Sequence, residues 1–111
     1  MNKLPMSNAA AALLRALIAR SRLPRDRILL TDVQSVDWQS LTFTGERHHI
    51  SLRVTGSDSG SGVERMRDGL EDAEFSIPGV LVADIAVLGE PERALDGSIT
   101  IRIEALTVGE D

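Results

Sequence analysis

The chain is written as two similar halves, and that constrains its fold more than any other feature. Ile28-Leu29-Leu30-Thr31-Asp32-Val33 matches Val80-Leu81-Val82-Ala83-Asp84-Ile85 position by position, aspartate on aspartate. His49-Ile50-Ser51-Leu52-Arg53-Val54 matches Ser98-Ile99-Thr100-Ile101-Arg102-Ile103 in the same way, arginine on arginine. A helix-forming stretch closed by Leu23-Pro24 or Ile77-Pro78 precedes each first strand. The pattern predicts a duplicated α-β-β unit over about 7–55 and 61–108 within one domain, 1–111.

Local signals support that order. Ser7 is a candidate N-cap, and the alanine-rich run Asn8 to Ser21 places Ala10, Leu13, Leu14, Leu17 and Ile18 on one helical arc. Pro24 ends it. Strands are expected over about 27–36, extending toward Trp38, then 47–55, 80–88 and 98–108, with Thr44-Gly45 turning the first hairpin. Ser61 and Glu64 have the spacing of a capping box for a second helix, whose buried stripe is Val63, Met66, Leu70 and Ala73. Gly69 at the edge of that stripe suggests a close backbone approach. The run Thr55–Gly62 reads as a flexible connection between halves.

An α-β-β-α-β-β order gives an α+β two-layer sandwich, a four-stranded antiparallel sheet with both helices on one face. In architecture it resembles a circularly permuted ferredoxin-like fold, a likeness that carries no activity.

Composition narrows the functional classes. Hydrophobic residues make up 42% and charged residues 26% of the chain, with only Trp38, Phe43 and Phe75 aromatic. Absence of cysteine excludes disulfides and thiolate chemistry, and suits a cytoplasmic location. No apolar run is long enough to span a bilayer. The net charge is −5, yet residues 1–27 carry Lys3, Arg15, Arg20, Arg22, Arg25 and Arg27 against Asp26 alone. The expected neighbour of this basic helix is the acidic second one, with Glu64, Asp68, Glu71, Asp72 and Glu74.

Strand alternation sorts side chains onto two faces. Ile50, Leu52 and Val54 with His48, then Ile99, Ile101, Ile103 and Ala105, then Leu81, Ala83, Ile85 and Val87 form the expected core rows. The other face mixes Leu30, Val36, Trp38, Val80, Val82, Leu88, Leu106 and Val108 with charges. Asp32, Asp84, Arg53 and Arg102 fall there, as expected cross-strand Asp–Arg pairs. With Trp38 they also form the candidate lining of a polar ligand pocket.

No constellation is specific for catalysis. His48 and His49 point to opposite faces of a strand, and Glu46 with His48 supplies two ligands where zinc needs three or four. The Gly/Ser run lacks the phosphate-loop lysine, and no serine has an identifiable base. One tryptophan on an acidic body does not make a nucleic-acid surface. The expectation is a non-enzymatic protein without metal or cofactor, binding neither nucleic acid nor membrane. It would form a homodimer through the half-apolar sheet face and act as a structural, adaptor or assembly subunit, with an unidentified protein as a further possible partner. The alternative is a dimeric ligand-binding or catalytic domain with the polar pocket named above.

Overall fold

The computed structural model describes residues 6–109; Lys3 and the rest of residues 1–5 lie outside the described residues. Helix α1 spans Asn8–Ser21, and the Ser7 hydroxyl accepts the Ala10 N–H at 3.1 Å. Ala9, Ala10, Leu13, Leu14, Leu17 and Ser21 are its buried face. The helix stops at Arg22, left-handed at φ 59°, and Pro24 leads into a 3-10 turn at Arg25–Arg27.

The chain then builds one antiparallel sheet from β1 (Ile28–Gln39), β2 (Thr44–Val54), β3 (Val80–Val87), β4 (Glu92–Arg93) and β5 (Ile99–Gly109). Its order is β1-β2-β5-β3, and the short β4 pairs with β5 beyond the end of β3, so the expected four strands are joined by a two-residue fifth. Gly45 lies in β2, paired with Val108, and is not part of the turn. The central strands alternate as their sequences dictate: His48, Ile50, Leu52 and Val54, with Ile99, Ile101, Ile103 and Ala105, are buried under the helices.

The edge strands depart from simple alternation. The ladder slips between Leu30 and Asp32 in β1 and between Val82 and Asp84 in β3, leaving Thr31 and Ala83 as bulged residues. A bulge flips every side chain beyond it to the other face. Leu30 and Val82 therefore pack against the core, whereas Leu81 and Ala83, expected inside, are exposed. The two bulges fall at positions that match in sequence. The second-strand match does not survive in the ladder: Asp32 faces Ser51, but Asp84 faces Leu106 and not Thr100. Val36 faces Arg47, and the Leu88 N–H donates to the Arg102 carbonyl at 2.8 Å, so the ladder counterpart of Arg102 is Arg47, not Arg53.

Helix α2 spans Ser59–Arg67, beginning ahead of Ser61. Its N-cap is Asp58, so the Ser61–Glu64 capping box does not form. Glycine and serine are weak helix formers, but here tertiary contacts hold the first turn. Ser59 is buried and donates to the Gly97 carbonyl at 2.9 Å, and Gly62 lies so close to Leu23 that a Cβ would overlap its side chain. The close approach belongs to Gly62. Gly69, at φ 65° with nothing near a Cβ, instead ends the helical path before a 3-10 turn at Leu70–Asp72.

Both helices share one apolar core with the sheet, formed by Leu13, Leu17, Val63 and Met66 against Leu52, Val54, Ile101 and Ile103. Each receives an arginine from the other at its C-terminus. Arg20 donates through Nε to the Met66 carbonyl at 3.1 Å and through its guanidinium to that of Asp68; Arg65 Nε donates to the Ser21 carbonyl at 2.8 Å. Arg20 thus meets the negative end of the α2 dipole rather than the acidic side chains expected from the sequence.

Candidate functional site: the open face of the sheet

With both helices on one face, the opposite face carries Leu29, Asp32, Gln34, Val36 and Trp38 from β1, and Gly45, Arg47, His49, Ser51 and Arg53 from β2. From β5 come Thr100, Arg102, Glu104, Leu106 and Val108, and from β3 Leu81, Asp84 and Ala86. Val36 is 61% exposed, Leu81 53% and Leu29 47%. These apolar side chains stand toward the edges. The middle is polar: Arg47 donates to Glu104 Oε1 at 2.7 Å, and His49 Nε2 lies 3.4 Å from Glu104 Oε2. His49 and Glu104 face each other across β2 and β5.

The expected site residues share this face without converging. Arg53 turns toward the connection after β4, donating through Nε to Ser98 Oγ at 3.0 Å and through Nη2 to Asp96 Oδ2 at 2.6 Å. Arg102 donates to Glu92 Oε1 at 2.9 Å. The aspartates intended for these arginines, Asp32 and Asp84, form none of the ion pairs found among the described residues. The Ser98 hydroxyl and N–H bind Asp96 Oδ1 at 2.6 and 2.9 Å, and with Arg53 they hold the Asp96 carboxyl below its usual range. Four of the surface cavities among the described residues measure between about 320 and 630 Å³. Trp38 borders one of about 400 Å³, beside Asp37, Thr44 and Glu46. Asp32, Asp84, Arg53 and Arg102 line none of the four.

The turn from the Gly/Ser run into α2 has an acid at its mouth, which disfavours an anion there. Asp58 stands at the α2 N-terminus with its carboxylate bound by Arg27, which lowers its pKa. Arg27 Nε also donates to the Thr55 carbonyl at 2.7 Å, so one arginine fastens both sides of the connection.

A polar cluster in the core was not anticipated. His48, on the expected inner row of β2, is 0% exposed. Its Nδ1 is 2.7 Å from Ser35 Oγ, and its Nε2 is 2.8 Å from Thr107 Oγ1. Burial lowers its pKa, offset only in part by the Glu46 carboxylate, so the ring is neutral and both nitrogens are satisfied. No carboxylate orients the ring as a catalytic base would require, and the arrangement is that of a buried structural histidine. Alternation placed His48 on the inner row, but its partners lie 13 and 59 residues away in sequence, beyond any local signal. Among the described residues no group of three or more His, Cys, Asp or Glu side chains is placed to hold a metal ion.

No protein-family model matches the chain, and no curated protein is similar to it at a meaningful level.

Proposed function

We propose that the chain is a non-enzymatic assembly subunit that pairs with a second copy of itself through the open face of the sheet. The observation that carries this reading is the pairing of exposed Val36, Leu81 and Leu29 at the edges of that face with a middle whose charges are already neutralised by Arg47–Glu104 and Arg102–Glu92. Burying the middle of this face removes apolar area from water without stranding an unpaired charge on Arg47, Arg102 or Glu104. Asp32 and Asp84, which form no ion pair among the described residues, stand exposed on the edge strands β1 and β3 at the rim of such a contact. Four strands about 4.8 Å apart and roughly ten residues long at about 3.4 Å each present on the order of 650 Å² in projection. That is comparable with the roughly 800 Å² per partner of a standard interface.

The same reading takes the chain as two α-β-β units related by an approximate twofold between His49 and Glu104. The matching bulges at Thr31 and Ala83 and the strand order β1-β2-β5-β3 support it, and that order is the one a circularly permuted ferredoxin-like fold would have. A face with internal twofold symmetry suits an isologous contact. Among the described residues no helix is long and apolar enough to cross a membrane.

Sedimentation equilibrium at micromolar concentration tests the reading. The expected species exceeds the 12.0 kDa of one chain, and Leu106→Glu, at the middle of the face, lowers the assembly mass. A monomeric parent protein, or an assembly indifferent to Leu106→Glu, would overturn it.

A further inference from the structure

β1 is an edge strand, 12 residues long, with no strand beyond it among the described residues. It contains neither proline nor lysine, the residues that commonly blunt an exposed edge. The bulge at Thr31 disturbs its start and leaves Val33–Gln39 in regular register with β2. Backbone bonding directions within that stretch follow from the hairpin. The Ser40 N–H donates to the Phe43 carbonyl at 2.9 Å, so alternation turns the N–H and C=O groups of Gln34, Val36 and Trp38 toward β2. Those of Val33, Ser35, Asp37 and Gln39 face outward, away from the sheet.

From this we infer that β1 is a second self-association site, at which two copies pair antiparallel across a twofold at Val36. The residue pattern is self-complementary, which fits a second copy, and it selects the register. Val36 is the midpoint of Val33–Gln39, so the undisturbed stretch pairs over its whole length. Val33 then faces the second copy's Gln39, Gln34 its Trp38, and Ser35 its Asp37; no like charges oppose each other. Centring on Asp37 would set two carboxylates face to face, and centring on Ser35 would bring Asp32, beside the bulge, opposite Trp38. With Val36 on the axis, two of the most exposed apolar side chains of the structure cover each other.

This edge contact shares Val36 with the face contact proposed above but is made through the outward backbone groups of β1, which the face contact does not use; the two together give a tetramer of two stacked, extended sheets. The chain has no cysteine, so a single introduced thiol reports without ambiguity. Val36 on the twofold is a non-hydrogen-bonded pair, with Cα atoms about 4.5 Å apart and within disulfide reach. Val36→Cys is expected to give mostly covalent dimer on mild oxidation at micromolar concentration, and Gln34→Cys only a background amount. Asp37→Pro removes an outward N–H without costing a β1–β2 bond, and is expected to halve the assembly mass. Equal, low cross-linking of Val36→Cys and Gln34→Cys would overturn the inference whatever the folding of Asp37→Pro. The two contacts separate cleanly. Cross-linking at Val36 with an inert Leu106→Glu leaves only the edge, whereas dissociation by Leu106→Glu without cross-linking leaves only the face.

Discussion

Replacing Thr107 by valine removes one hydroxyl from the core at nearly constant shape, and the structure sets the size of the effect. Thr107 is 2% exposed and its Oγ1 lies 2.8 Å from Nε2 of His48, a ring with no exposure. Without that hydroxyl, Nε2 has no partner in a region water does not reach, and an unsatisfied buried polar group costs about 1–3 kcal/mol. Valine returns part of this, since it carries no polar atom into the core, and the net loss is about 1–2 kcal/mol. In a domain of this size that corresponds to a fall in Tm of roughly 4–12 °C.

Ser35→Ala supplies the internal control. Ser35 Oγ lies 2.7 Å from Nδ1 of the same ring, but Ser35 is only half-buried, so water can replace the lost hydroxyl. Its expected cost is below about 1 kcal/mol. Urea unfolding followed by far-UV circular dichroism measures both variants and their double mutant, all at one protein concentration because self-association shifts the midpoint. A neutral or stabilising Thr107→Val, or a Ser35→Ala that costs more, would refute the argument that burial decides which hydroxyl matters.

The same ring predicts a pH dependence. His48 in the unfolded chain takes up a proton near pH 6.5, while burial lowers its pKa in the folded state. Below about pH 6.5 the unfolded state therefore binds protons first, and stability falls with acid by at most about 1.4 kcal/mol per pH unit until the lowered pKa is reached. Above pH 6.5 the group contributes no slope. Subtracting the pH profile of His48→Met isolates it, and an unchanged profile between pH 7 and 5 would contradict the assignment. Gly45→Ala tests the ladder, because a Cβ there overlaps the Thr107 carbonyl oxygen and lies 2.8 Å from its carbon. Backbone must move, and a loss of about 2–3 kcal/mol in chemical denaturation is expected, with wild-type stability as the contrary result.

How much of this was legible in the sequence differed from element to element, for physical reasons. β2 and β5 lie in the middle of the sheet with one face on the helices, so Ile50-Leu52-Val54 and Ile99-Ile101-Ile103 declared their inward rows by alternation alone. In β1 and β3 a one-residue bulge reverses the faces, and just before it Leu29-Leu30 and Leu81-Val82 put an apolar side chain on each face. Period-two reading could not tell which of each pair turns inward. The start of α2 was hidden because its Ser-Gly turn is held by Leu23 and Gly97, distant in sequence. Asp32, Asp84, Arg53, Arg102 and Trp38 were correctly placed on one face. The partners of the arginines were not, since Arg53 and Arg102 meet Asp96 and Glu92 only after the chain folds back beyond β3.

The two edges of the sheet are treated unequally, and the inequality gives the open edge its significance. Beyond β3 the chain itself provides cover: the turn at Leu70–Asp72 packs against that strand, Phe75 and Ile77 pack on the core, and Ile77 bridges back to Val80. The β1 edge has only the bulge at Thr31, and that bulge lies near one end. A bulge at mid-strand would have twisted the whole edge away from a neighbour; one near the start spares a regular segment and fixes where it begins. The device that protects β3 in the middle of its length therefore defines, in β1, the frame within which a second strand can pair. Val36 is the centre of that frame and among the most exposed apolar residues of the sheet face, so edge pairing and face pairing draw on the same side chain. Polar replacement at Val36 consequently weakens both contacts, whereas Asp37→Pro acts on the edge and Leu106→Glu on the face.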